Sequence, residues 1–140
     1  DVDFRADVAA NAVNLVKDFP LVGTGGGSFY NSYIRYRTLL PGFFDHAHHD
    51  YLELAGDFGL MGLGLLGALV ISTFWVSALN LARRRSSLPR GISFGVMMAL
   101  AAIAIHSTVD FNLQIPANAL LTVVVIAMGW VAYRLPSGRR

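Results

Sequence analysis

Three histidines and three carboxylates crowd one short stretch, Asp45-His46-Ala47-His48-His49-Asp50-Tyr51-Leu52-Glu53. Neutral imidazole, with an unperturbed pKa of about 6.5, serves as a general base near neutral pH. If the stretch is helical, His46, His49 and Asp50 share one face, with His48 and Leu52 on another. If it is extended, His46 and His48 point the same way. Imidazole and carboxylate together also suit zinc, but no HExxH or comparable spacing occurs. Three readings stand at this point: catalysis or substrate contact, a metal site, and a solvated polar loop.

Two further groups carry charge or backbone donors. Arg35 and Arg37 lie among tyrosines in Tyr30-Asn31-Ser32-Tyr33-Ile34-Arg35-Tyr36-Arg37. Guanidinium groups grip phosphate oxygens bidentately, which suits a diphosphate ligand. The same pair also suits a solvated or headgroup-facing surface, since i and i+2 do not share a helix face. Upstream, Phe19-Pro20-Leu21-Val22-Gly23-Thr24-Gly25-Gly26-Gly27-Ser28-Phe29 is either a plain turn or a phosphate cradle. Its spacing matches neither the P-loop nor the dinucleotide fingerprint. His106 and Asp110 are four apart and share a helix face, either as a functional pair or as a lock on the helix end.

The elements that hold these residues follow from composition. Of 140 residues 54% are hydrophobic and only 14% charged, and mean hydropathy is +0.51. Soluble domains carry about 25% charged residues, so the deficit points to a membrane protein. No cysteine is present, which excludes disulfides and thiolate metal sites. The expected fold is all-α: three transmembrane spans preceded by a mostly helical loop segment. Asp3 is expected to cap a helix over residues 4–18, with Phe4, Val8, Ala12, Leu15 and Val16 on one face. Spans are expected over residues 60–82, 92–109 and 117–133. Gly62, Gly64, Gly67 and Ala68 on the first, and Gly91 and Gly95 on the second, suit close helix packing.

The domain boundary expected from this pattern separates residues 1–58, a loop segment, from residues 59–140, the membrane segment. Arg83, Arg84, Arg85, Arg90, Arg134, Arg139 and Arg140 all fall on one side of the three spans. Basic residues accumulate on the cytoplasmic side. Residues 1–58 and the link at 110–116 are therefore expected outside, in the periplasm of a bacterium, with the C-terminus in the cytoplasm. The start at Asp1, without a signal segment, reads as the C-terminal piece of a longer multi-pass protein.

The residues then bring a family into view. His48-His49-Asp50-Tyr51-Leu52-Glu53, running into Phe58-Gly59-Leu60-Met61-Gly62, resembles the signature of bacterial O-antigen ligases and polymerases. There the pattern is roughly His-[Asn/Ser/Gln]-x-x-Leu at the end of a large periplasmic loop. The segment Pro20-Leu21-Val22-Gly23-Thr24-Gly25-Gly26-Gly27-Ser28-Phe29 is similar to that loop's glycine-rich part. Residues 106–118 are similar to the link before the final helix. His49 departs from the preferred Asn, Ser or Gln, and Glu53 stands where Gln is common.

The resemblance implies an inner-membrane glycosyltransferase that moves a glycan from an undecaprenyl diphosphate carrier to an acceptor hydroxyl. It implies no nucleotide sugar, no cofactor and no essential metal. Acceptors would be lipid A–core sugars, a growing polysaccharide or a protein. By this resemblance His48 is the catalytic histidine and Arg35, with Arg37, steadies the departing diphosphate. His46, His49, Asp50, Tyr51, His106 and Asp110 are the expected substrate-binding neighbours, and upstream helices of the parent chain are the expected partners. The alternatives are a transporter of a small anion such as bicarbonate, with His106 and Asp110 along its route, and a non-catalytic membrane anchor.

Overall fold

The structure is a computed structural model that describes residues 2–36 and 49–136, with side chains from residue 10 onward. The regular elements among the described residues are all helices, without strands: α1 (Val2–Asp18), α2 (Phe29–Tyr33), α3 (Asp50–Arg83), α4 (Ser87–His106) and α5 (Pro116–Arg134), with a short 3-10 turn at Asn112–Gln114. Helices α3, α4 and α5, of 34, 20 and 19 residues, are long and apolar enough to cross a membrane. The all-α membrane fold expected from composition is therefore observed.

Several boundaries differ from expectation; α4, for one, runs over Ser87–His106 rather than 92–109, taking Pro89 into its first turn. Helix α1 begins at Val2, so Asp3 lies within it rather than capping it. Helix α3 begins ten residues before the expected span, at Asp50, and passes through a break at Gly59 (φ 67°, ψ −176°). The uncharged run alone predicts only the part after that break.

The chain forms two compact units, residues 1–66 with 106–114, and residues 67–105 with 115–140. In the first, Ala12 and Leu15 of α1 are buried against Phe29 and Tyr33 of α2, with Tyr36 and Leu52 packed alongside. The Phe29 and Tyr33 rings stack at 5.3 Å. Ala12 and Leu15 belong to the expected apolar stripe, so α1 packs against its own chain through that face. Tyr36 donates its hydroxyl to the Asp18 carboxylate, tying the end of α2 to the end of α1. That bond holds the Tyr36 phenol above its ordinary pKa of 10.

In the second unit, α3 presents buried Thr73, Ser77 and Asn80 at helical spacing. Asn80 Nδ2 donates to Ser93 Oγ of α4 at 3.1 Å, and Trp130 Nε1 of α5 donates to Thr73 Oγ1 at 3.0 Å. Gly129 of α5 sits tightly against Thr73, Ser77 and Val96. Small and hydroxylated side chains thus join three helices that have no hydrophobic drive to associate in lipid. Of the glycines expected to suit close packing, Gly64, Gly67, Gly91 and Gly95 have no atom of another described residue within 4 Å of a Cβ position. Large apolar side chains such as Leu65, Ile71, Trp75, Ile105 and Leu120 point outward, as a bilayer solvent requires.

Candidate functional site

The first unit holds every described candidate residue, and two local devices position them. One is the glycine-rich loop. The break at Gly59 leaves carbonyls before it and N–H groups after it without helical partners. The loop supplies both: Thr24 and Gly25 N–H donate to the Gly56 and Asp57 carbonyls at 2.9 Å each. Leu60 and Met61 N–H in turn donate to the Pro20 and Leu21 carbonyls at 2.8 and 3.1 Å. Two carbonyls before the break and two N–H groups after it are thereby paired, as a segment at a membrane surface demands.

Two further backbone donors, Gly27 and Phe29, converge on one carboxylate. Asp57 is buried, and its Oδ2 accepts Gly27 N–H while its Oδ1 accepts Phe29 N–H, both at 2.8 Å. Charge-assisted bonds of this kind are the strong ones. Asp57 occupies the place an anion takes at a glycine-rich turn leading into a helix. The loop is therefore a fastening onto α3 and not an open phosphate cradle. Two glycines make the close approach possible. Gly23 and Gly59 both have φ near +67°, and a Cβ at either would run into backbone, of Asp57 and Leu21 respectively.

The second device is the start of α3. Asp50 is fully buried, its N–H donates to the Ser107 carbonyl at 3.1 Å, and its carboxylate accepts Leu113 N–H at 3.0 Å. The link between α4 and α5 is thus tied to the residue that follows His49. Asp50, Glu53 and Asp57 are all buried, so the acidic side of this segment faces the protein interior.

The sequence-expected site residues fall into three groups. His46, His48 and Arg37 lie outside the described residues. His49, Asp50 and Tyr51 come together at the head of α3: the His49 and Tyr51 rings meet edge-on at 5.7 Å, and His49 Nδ1 is buried with no hydrogen-bond partner among the described residues. His106 Nε2 and Asp110 Oδ2 approach to 3.9 Å at the end of α4. Arg35 follows α2 with its side chain exposed, and among the described residues no hydrogen bond or ion pair joins it to His49, Tyr51, His106 or Asp110. Asp57 is the residue that sequence reasoning missed. Its signal was present: a carboxylate next to Phe58 at the start of an apolar run must find strong donors or stay in water.

Residues 1–67 match the family described as O-antigen ligase. That range contains the glycine-rich loop, the arginines and the histidine stretch, so the resemblance read from the sequence is borne out there. The link at residues 106–118 lies outside it. No curated protein and no solved structure gives a significant match.

Proposed function

From the O-antigen ligase match over residues 1–67, we propose that this protein transfers a glycan from an undecaprenyl diphosphate carrier to an acceptor hydroxyl. The match is the observation that carries the reading, because it spans the glycine-rich loop, both arginines and the histidine stretch together. The reading is a ligase or polymerase of lipopolysaccharide or polysaccharide assembly, in the bacterial inner membrane. Residues 1–58 face the periplasm and the C-terminus lies in the cytoplasm, in keeping with the charge asymmetry.

In this reading His48 takes the proton of the acceptor hydroxyl as that oxygen attacks the anomeric carbon. The bond from that carbon to the diphosphate oxygen breaks, and its electron pair leaves with the diphosphate. Arg35 and Arg37 offset the charge that grows there. The geometry supports the assignment in two ways. Asp50 is anchored on both its N–H and its carboxylate, which fixes the chain immediately after His48 and His49. The loop fastened to Asp57 belongs to the same unit and leads directly into α2 and the exposed Arg35. His49, Tyr51, His106 and Asp110 are the neighbours available to hold sugar hydroxyls or the acceptor.

Charge reversal at Arg35 tests the donor side. Full-length protein in liposomes with an undecaprenyl diphosphate-linked glycan should bind donor at least about tenfold more weakly as Arg35→Glu, the worth of a charge-assisted contact. Unchanged donor binding would remove Arg35 from the site.

A further inference from the structure

The second unit has an electrostatic imbalance that the transfer reading does not use. Residues 67–105 and 115–140 contain seven arginines (Arg83, Arg84, Arg85, Arg90, Arg134, Arg139 and Arg140) and not one aspartate or glutamate. No carboxylate of this unit is available to neutralise them, so their counter-charge comes from outside it. A hydrated surface cluster would need nothing more than salt. The described arginines, however, do not form a uniform surface.

Arg84 is spent internally. Its guanidinium donates to the Leu135 and Tyr133 carbonyls at 2.8 and 2.7 Å, capping the end of α5. That bond joins the ends of α3 and α5, and a recess of about 410 Å³ lies there, lined by Leu79, Asn80, Arg83, Arg84, Tyr133 and Arg134. The side chains of Arg83 and Arg134 are exposed and make no hydrogen bond or ion pair with another described residue. The recess therefore carries two guanidiniums without a described partner and a phenol, beside Leu79 and Asn80, at the point where membrane helices end. Guanidiniums bind phosphate oxygens in a fork, tyrosine suits the headgroup level, and basic pockets between helix ends take anionic headgroups.

We propose that the recess between the ends of α3 and α5 is a binding site for the phosphodiester of an anionic phospholipid, held by Arg83 and Arg134. Arg84 positions the two helix ends and does not hold the lipid. The lipid's acyl chains would continue along the apolar outer surface of the same helices, which a free phosphate does not.

The test uses full-length protein in nanodiscs of equal phosphatidylglycerol and phosphatidylcholine, with retained lipid read by native mass spectrometry. Wild type should retain phosphatidylglycerol preferentially. Each arginine that contacts the headgroup is worth about fivefold, so R83Q/R134Q should lower that preference roughly twenty-fivefold. R85Q/R90Q removes the same charge outside the recess and should lower it by less than about fivefold. R83K/R134K, which keeps both charges, should retain a preference and shows that the site tolerates substitution. No preference in wild type would overturn the proposal outright, and equal losses in the two glutamine variants would overturn it in favour of a diffuse field. Displacement of the lipid by millimolar inorganic phosphate would overturn it in favour of a soluble anion.

Discussion

The Oδ1 of Asp57 accepts the backbone N–H of Phe29 at 2.8 Å, joining α3 to the first residue of α2 across 28 positions of chain. With the Gly27 N–H on the other oxygen, this single carboxylate organises the glycine-rich loop. An anion-binding turn has been closed by an anion from the same chain.

Replacing Asp57 by Asn keeps the shape and one acceptor but turns an amide NH₂ toward a backbone donor. The loop should lose about 1–3 kcal/mol of local stability, the cost of a buried donor left unpaired. Hydrogen exchange at the Gly27 and Phe29 amides checks this: both should exchange faster, while the amides of α4 and α5 stay unchanged. Unaltered protection at Gly27 and Phe29 would mean the carboxylate is not their anchor.

Gly59→Ala should be among the most damaging small substitutions in the chain. Its backbone (φ 67°, ψ −176°) lies in a positive-φ region essentially reserved for glycine, which costs an alanine about 1–3 kcal/mol, and its Cβ would also press on the Leu21 backbone. A total of about 3 kcal/mol or more is expected, read as a fall in the thermal unfolding midpoint in detergent. Gly64→Ala, where a Cβ meets nothing within 4 Å, should change stability by no more than about 1 kcal/mol, in the stabilising direction.

The membrane helices make a separate prediction. A Cβ at Gly129 would lie 2.8 Å from Thr73 Cγ2 and 3.2 Å from Ser77 Oγ and Val96 Cγ1. Gly129→Ala should cost about 1–3 kcal/mol by overpacking. Gly91→Ala and Gly95→Ala should be close to neutral in the same unfolding assay, since both face open space.

The pattern of these sites explains what the sequence could reveal. Span count and class were legible because residues 60–82 carry no charge, and a bilayer tolerates little else. The apolar stripe through Ala12 and Leu15 was legible because helical period and burial agree. The role of Asp57 was not, because its partners lie 28 and 30 residues away and a loop of glycines advertises freedom rather than a destination. The packing glycine Gly129 was not legible for a related reason. Gly91 and Gly95 have the familiar spacing, whereas Gly129 stands alone and is chosen by Thr73 and Ser77 on another helix. Of the site itself, His49, Asp50 and Tyr51 fall together at the head of α3, and His46, His48 and Arg37 lie outside the described residues.

The central claim is that His48 activates the acceptor of a glycan transfer. The most direct measurement compares wild type with His48→Ala in full-length protein reconstituted with an undecaprenyl diphosphate-linked glycan and candidate acceptors. Removal of a general base is expected to slow transfer by about 10²–10⁴-fold, with donor binding and thermal stability unchanged. Transfer at the wild-type rate without His48 would contradict the account and move the base to His46 or His49.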